Sequence, residues 1–535
     1  EGGFQLVLAR MVMKLAAQHP FHILPQLFAL AHEREFGGTY DGAAHAKQNM
    51  SLARLETSKM LVGQLKAIAP LQSLVDCTQQ MLLAYIDLAN ASTLAMQKSG
   101  FTKGIKYNKI QPRGKRFDQV MHALAVSPAV LTLSVKLSPQ HDYSDVVRVS
   151  GFSPHFSITD NGISRPKIVS CLGSDGCYYT QLVKGGDDMR QDAVMQQVFD
   201  NVNSQLGQDE ETQKRQLRVH TYRIVPLTPQ TGVLEWVQDT TAFGSILTDK
   251  RGTHARYYPN DWTHSQCREH LKNALDNNDK LHRYREVCAR FHPAFRFFFL
   301  ERYADPLQWM AARLAYTRSV AANSIIGYVL GIGDRHAHNI LINTVTGEVV
   351  HIDFGIVFEQ GKGLGTPETV PFRLTRDIVD AMGLTQYEGS FRRSCEEVLR
   401  VLRDNALQIM TILEVVIHDP LYKWSLSPLQ ARQKQNTLPD FQNDLDAAKL
   451  GGQGLMHNIH SLAPVGATFG GKSAGGSFGK TAAERTLLRV THKLHGQEDL
   501  SGEALSVEGH VDLLLNEARS EHNLSKLFPG WAPWL

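Results

Sequence analysis

The chain has 535 residues, enough for several domains and a sizeable core, with 42% hydrophobic and 20% charged residues. Its 56 basic and 53 acidic side chains leave a net charge of +3, a balance that argues against a dedicated nucleic-acid surface. No apolar run reaches membrane-spanning length, and the opening EGGFQLVLARMVMKL lacks a signal-peptide cleavage pattern. An opening Glu in place of Met leads us to expect a fragment of something longer.

Residues 1 to about 110 read as helical, a scaffold without visible chemistry. Leu6, Ala9, Val12 and Met13 recur at helical spacing, as do Leu71, Leu74, Val75 and Leu82. Character changes near Pro112. VLTLSVKL, KIVSCLGSDGCYYTQLVKG and VHTYRIVPLT are β-rich runs broken by Gly, Asp and Pro, expected to form a small antiparallel sheet. One helix interrupts them from near Asp187, with Met189, Val194, Val198 and Val202 as its apolar stripe. From about 260 to 420 helices dominate again, apart from strand-like LIN and VVHID. Residues 425 to 485 lose periodicity. Nine glycines fall between Gly451 and Gly479, which reads as a flexible linker. ALSVEGHVDLLLNEA then reads as a short helix before the aromatic ending LFPGWAPWL.

The chemistry concentrates in GIGDRHAHNILINTVTGEVVHIDFG, Gly331 to Gly355. Phosphoryl transfer needs a carboxylate to orient the attacking hydroxyl and oxygen ligands to hold magnesium on the phosphates. Asp334 serves as the first, Asn339 and Asp353 as the others. His336 can donate to charge developing on the γ-phosphate. An incidental surface loop explains neither the apolar flanks nor the glycines. On the strand ending YYTQLVK, alternation puts Tyr178, Thr180, Leu182 and Lys184 on one face. Lys184 would reach the α- and β-phosphates, partnered by Asp187 or Asp192; an edge-strand lysine is the plain alternative. TGVLEWV should form the hinge, where backbone groups of Glu235 and Val237 could pair with adenine and Trp236 could cover it.

Two other patterns are weaker. GATFGGKS (466–473) fits a phosphate-loop pattern by letter, but no strand feeds it and no helix leaves it. Cys267, His270, Cys288 and His292 have zinc-like types yet sit in charged helical segments. The six cysteines form no C-x-x-C pair, which fits a reducing compartment. The loop FGIVFEQGKGLGTPETVPFR sets Lys362 and Arg373 against Glu359 and Glu368. A phosphoinositide-receiving loop should be strongly basic, so near-neutrality favours a protein hydroxyl as acceptor over a lipid.

The order DRH with a following Asn, then DFG, together with QLVKGGDDMRQDAVMQQVF, GVLEW, RLAYTRSVA, ETVPFRLTRDIVDAMG and NLSKLFPGW, resembles the phosphatidylinositol 3-kinase-related protein kinases over nearly the whole chain. The resemblance implies an α+β fold: a two-lobed protein-kinase-like catalytic domain, with a small β-rich N-lobe and a large helical C-lobe. An all-α FAT solenoid end precedes it and a short helical FATC segment, packed near the activation loop, follows. The implied boundaries are 1–111 for FAT, 112–237 for the N-lobe, 238–425 for the C-lobe, 426–485 for a regulatory linker and 503–535 for FATC. It implies catalysis by Asp334, His336 and Lys184, and nucleotide binding by Lys184, Asp187, Asp192, Leu182, Tyr222, Glu235, Trp236, Val237, Leu341 and Ile352. Asn339 and Asp353 would hold the metal. ATP and Mg2+ are the implied cofactors, with Mn2+ as the alternative ion. Implied too are nuclear action in double-strand-break signalling, checkpoint control and telomere maintenance, on Ser or Thr followed by Gln. A homodimer recruited by the MRN sensor complex would touch DNA only indirectly and no membrane. The phosphate-covering loop TDNGISRPK (159–167) departs from a G-x-G pattern with its single glycine: either its amides contact phosphate less closely than in such a loop, or Ser164 helps. A lipid kinase of the same fold and a non-catalytic pseudokinase are the competing readings.

Overall fold

The computed structural model describes residues 2–32, 45–93, 102–111, 116–159, 165–417, 482–498 and 503–535. GATFGGKS, most of the linker and the centre of TDNGISRPK lie outside them. Among the described residues four helices open the chain: α1 Gly2–Gln18, α2 Pro20–Ala31, α3 His45–Lys66 and α4 Ala69–Asn90. Val75 and Leu82 are buried as their spacing requires, whereas Leu6 on α1 is exposed.

The sheet that follows begins earlier than its composition suggests. β1 (Ile105–Lys106) lies inside the segment expected to be helical and pairs with β3 (His155–Ile158). β2 (Val149–Phe152), β4 (Lys167–Gly173), β5 (Tyr178–Gly185), β6 (Ile224–Thr228) and β7 (Thr231–Glu235) complete seven antiparallel strands among the described residues. They run in the order β1-β3-β4-β5-β7-β6, with β2 also on β4. VLTLSVKL is no strand. Val130 and Leu131 are buried, the Leu133 amide turns back to the Val130 carbonyl at 3.1 Å, and a lone bridge joins Ala129 to Arg148. Of VHTYRIVPLT only β6 is extended.

α4 docks directly on this sheet. The Tyr85 hydroxyl donates to Gln181 on β5 at 2.5 Å, and Lys167 Nζ donates to the Ala89 carbonyl at 2.6 Å. A Cβ at Gly185 would meet that same carbonyl at 2.7 Å, so only glycine admits the helix end there. The opposite face carries α5 (Arg190–Gln208), which starts three residues later than Asp187. Gly186, at φ 78°, makes the intervening turn, and Asp188 accepts from the Arg190 amide at 3.1 Å.

The larger lobe is helical around α6 (Pro306–Leu330), which carries a run of buried residues from Ser319 to its end. A second sheet of β8 (Thr240–Ala242), β9 (Ile340–Asn343) and β10 (Val349–His351) lies below the hinge in the order β10-β9-β8. α7 (Ser390–Asp404) crosses α6. α8 (Ala482–Leu494) begins inside the stretch read as linker and fastens to the lobe through Lys493, which donates to the Tyr328 carbonyl at 2.7 Å and pairs with Glu359 at 2.8 Å. α9 (Val507–Arg519) and α10 (Glu521–Lys526) close the chain, and Trp534 and Leu535 end fully buried.

Candidate active site

β5 supplies one wall of the cleft. Gln181 and Val183 point into the core, fully buried, so the alternating Leu182 and Lys184 face the opposite side. Lys184 Nζ lies 2.5 Å from the Asp187 carboxylate. Burial works against its charge, but Asp187, Asp353 and Asp192 outweigh that and hold Lys184 above the ordinary lysine range. Both candidate partners therefore face the lysine: Asp187 in direct contact, Asp192 through its field. Asp192 also accepts from the Phe354 amide at 2.7 Å, and Gln191 donates to the Phe354 carbonyl at 2.6 Å. Burial first, then the Asp353 charge, push Asp192 up to about 6 against the pull of Lys184.

The β9–β10 hairpin brings the metal-ligand candidates together. Ile340 pairs with His351, and the Ile352 amide donates to the Asn339 carbonyl at 3.1 Å. Asn339 thus stands just before one strand and Asp353 just after the other, side by side at the hairpin base. Asn339 Nδ2 donates to the Asp334 carbonyl at 2.9 Å, which leaves its Oδ1 as the group able to serve a cation. Asp334 and Asp353 both have left-handed backbones, φ 56° and 60°. Such a conformation costs an L-residue on the order of 1 kcal/mol, so surrounding contacts must hold it.

Those contacts come largely from Arg335 and Glu368, which residue type and spacing alone do not mark as functional. Arg335 is buried and donates to the carbonyls of Gly333 at 2.9 Å, Ile352 at 2.8 Å and Asp353, so one guanidinium ties the loop to the DFG strand end. Glu368 accepts from the Asp334 amide at 2.7 Å. His336 is buried, and its Nδ1 accepts from the His338 amide at 3.1 Å. The proton of the neutral ring then sits on Nε2. Burial, His338 and Arg335 push its pKa down to about 3, so His336 offers a neutral N–H donor.

Tyr222 is buried beside Asp192 and Asp353, and burial followed by those two charges raises its hydroxyl well above the usual range. Leu341 and Ile352 are half-buried against the lobe core. Trp236 is 38% exposed and its amide donates to the Thr180 carbonyl at 3.1 Å, so it is no core tryptophan. The Glu235 amide is committed to the Arg223 carbonyl at 2.8 Å, which removes that N–H from the backbone groups expected at adenine. Val237 packs on the lobe core and its carbonyl accepts from Thr240 at 2.9 Å.

The donor set fits a hard cation: Asn339 and Asp353 would offer it oxygen atoms, and Mg2+ characteristically takes one or two such groups and completes its shell with phosphate oxygens and water. Among the described residues no group of three or more His, Cys, Asp or Glu converges on a metal position. Of the zinc-like set Cys267, His270, Cys288 and His292, both histidines turn to carboxylates, His270 to Glu286 at 2.7 Å and His292 to Asp261 at 2.9 Å.

The loop after Asp353 spends its charges internally. Lys362 pairs with Glu359 at 3.1 Å, and Glu368 turns inward to Asp334. Arg373 is buried and donates to the carbonyls of Trp531 at 2.7 Å, Ala532 at 2.8 Å and Leu535 at 3.4 Å, with its plane over the Trp531 ring at 4.2 Å. Thr369 donates to the Asn523 carbonyl at 2.8 Å. The C-terminal helices thus pack on the activation loop.

The chain is similar to known proteins along its whole length. The phosphatidylinositol 3- and 4-kinase family model matches residues 179–426, and the FATC domain model matches 504–535. The chain is 40% identical over 548 residues to the serine-protein kinase ATM of Sus scrofa, covering 100% of this chain and 17% of that protein. It is 40% identical over 539 residues to the serine/threonine-protein kinase ATM of Arabidopsis thaliana, covering 99% and 13%. The serine/threonine-protein kinase tel1 of Schizosaccharomyces pombe is 38% identical over 535 residues, with 99% and 18% covered. Among solved structures, the FAT and kinase domain of CtTel1 superposes with a TM-score of 0.80 at 35% identity, over 99% of this chain and 32% of that one. The chain spans less than a fifth of the length of these curated relatives. The chain thus carries a phosphatidylinositol 3- and 4-kinase domain and a C-terminal FATC domain, and along its whole length it is similar to ATM and Tel1 kinases.

Proposed function

We propose that the chain is the catalytic part of an ATP-dependent serine/threonine protein kinase of the DNA double-strand-break response, which transfers the γ-phosphate to Ser or Thr followed by Gln. The observation that carries this is the hairpin base, where Asn339 and Asp353 stand together, Asn339 bonded to Asp334 and Asp353 within the field of Lys184. Lys184 binds the α- and β-phosphates, steadied by Asp187 and Asp192. Leu182, Tyr222, Trp236, Val237, Leu341, Ile352 and the carbonyl of Glu235 enclose the base. Asp334 orients the acceptor hydroxyl and receives its hydrogen, and His336 presents Nε2–H to the transferring group without carrying charge itself. A divalent ion on Asn339 and Asp353, Mg2+ or Mn2+, supplies neutralisation of phosphate charge when bound.

The protein acceptor is favoured over a phosphoinositide because the loop after Asp353 keeps its cations engaged: Arg373 is buried on the C-terminal carbonyls and Lys362 is paired with Glu359. We assign the FAT end to residues 1–111, with Ile105–Lys106 already part of the catalytic sheet, the N-lobe to 112–237, the C-lobe to 238–425, the regulatory linker to 426–485 and FATC to 503–535. A homodimer is supported by the solved relatives, among them the complete CtTel1 dimer with C2 symmetry and the Tel1 kinase butterfly symmetric dimer. Nuclear action and recruitment by the MRN complex rest on the likeness to ATM and Tel1 kinases.

The test offers labelled ATP to the protein with a Ser-Gln peptide and phosphoinositide vesicles in one reaction. Label on the peptide, lost when Gln is replaced, is the expected result; label entering only lipid would sink the proposal.

A further inference from the structure

Glu368 lies in the loop read as the acceptor-facing segment, where its charge alone drew notice, yet its carboxylate faces inward. Oε1 accepts from the Asp334 amide at 2.7 Å. Oε2 occupies a slot that side chains would close: a Cβ at Gly333 would fall 2.5 Å from it, and one at Gly361 2.1 Å. The Glu368 amide donates to the Gly361 carbonyl at 3.1 Å, and the next residue, Thr369, is anchored to Asn523 of the C-terminal segment at 2.8 Å. Asp334 is thereby held on both sides of its α-carbon, by Glu368 at its amide and by Asn339 at its carbonyl. The amide lock has a reason to exist, because Asp334 adopts the left-handed conformation that an L-residue disfavours. The pairing is not an attraction of charges. Burial and then the Asp334 charge push Glu368 up to about 7, so the two carboxyl groups repel when both ionise and the N–H bond is what joins them.

We infer that Glu368 is a positioning residue for phosphoryl transfer: seated in the slot left by Gly333 and Gly361, it accepts the Asp334 amide and sets the direction of the Asp334 carboxylate. The activation loop and the C-terminal segment thus act on the catalytic carboxylate through one side chain. This rests on the kinase function proposed above.

Steady-state kinetics on the full chain, with ATP and a Ser-Gln peptide, test it. Misplacement of a reacting group by an ångström costs on the order of 10²-fold in rate. Glu368→Ala should therefore lower kcat by about 30- to 100-fold, while KM for ATP and ATP-analogue affinity stay near wild type. Glu368→Gln keeps an oxygen at the same reach and should recover most of kcat. Glu368→Asp keeps the charge but falls one methylene short and should stay low. Gly361→Ala, which displaces the Glu368 carboxylate from the slot while Glu368 itself is unchanged, should lower kcat in the same way and decides the matter if Glu368→Ala folds poorly. Wild-type kcat in Glu368→Ala or Gly361→Ala, or better recovery by Asp than by Gln, would overturn the inference while the kinase function stands. Wild-type protein that phosphorylates neither peptide nor lipid would remove the function on which it rests.

Discussion

The catalytic loop and the C-terminal segment meet at the same cleft but use different parts of the chain to do so. The loop presents side chains, Asp334, His336 and Asn339, with Asp353 across the hairpin. The C-terminal segment presents backbone: the carbonyls of Asn523, Trp531, Ala532 and Leu535 accept from Thr369 and Arg373. Two buried arginines link the regions in series. Arg373 holds the C-terminal carbonyls and also donates to the Arg335 carbonyl at 3.3 Å, while Arg335 grips the carbonyls of Gly333, Ile352 and Asp353. A guanidinium suits this work because its five donors are fixed in one plane and stay charged when buried. The difference separates chemistry, which depends on the identity of a few side chains, from support, which depends on where the backbone runs.

That contrast can be broken in graded steps. Asp334→Ala removes the side chain proposed to orient the acceptor hydroxyl and should lower kcat by about 10³-fold, within the range of general acid–base groups, with ATP-analogue affinity nearly unchanged; peptide phosphorylation at the wild-type rate would remove Asp334 from the chemistry. Arg373→Ala leaves buried carbonyls without their donor and should cost about 3–5 kcal/mol of stability, read as a lower denaturation midpoint, together with a loss of activity. Trp531→Phe, which keeps the carbonyl that Arg373 uses, should be far milder; equal damage from both would mean that the indole and not the backbone carries the contact. His336→Gln keeps a neutral donor and should lower kcat by less than the roughly 10²- to 10³-fold that the loss of a whole transition-state donor costs. The folded His336 value of about 3 lies below the ordinary 6.5, so the ring stays neutral above about pH 3 in the fold. Its protonation in the unfolded chain then draws stability away as pH falls from about 6.5 toward 3. The acid limb of kcat should accordingly keep its position in His336→Gln, and an alkaline limb present in the wild type but absent from the variant would show a charged histidine at work.

The same contrast explains which parts of the structure were legible in the sequence. Lys184, Asp334, Asn339 and Asp353 could be singled out by residue type and spacing, and the structure brings them to one cleft, with β5 alternating cleanly. Arg335 was visible as a letter of DRH but not as a brace, since its partners are carbonyls that any residue supplies. Glu368 was counted as a charge, and the direction it faces depends on Gly333 and Gly361 lying opposite. VLTLSVKL has strand composition, yet its Val130 and Leu131 are buried in a turn-bearing segment with a single bridge, whereas β2 and β3 form from the plainer VSGF and HFSI. β-propensity reports a fit to a half-buried pleated surface, and the neighbours that provide that surface are set by the fold. α8 escaped because its beginning adjoins the glycine-rich stretch.

The central claim is that side chains of the catalytic loop and its hairpin meet phosphate and metal in one cleft. Its most direct test is the affinity for a non-hydrolysable ATP analogue, titrated with and without Mg2+, in wild type and Asp353→Ala. Magnesium should strengthen binding to the wild type and leave the variant nearly unaffected. An equal magnesium-dependent gain in both would contradict the assignment of Asp353 and, with it, the construction of the site.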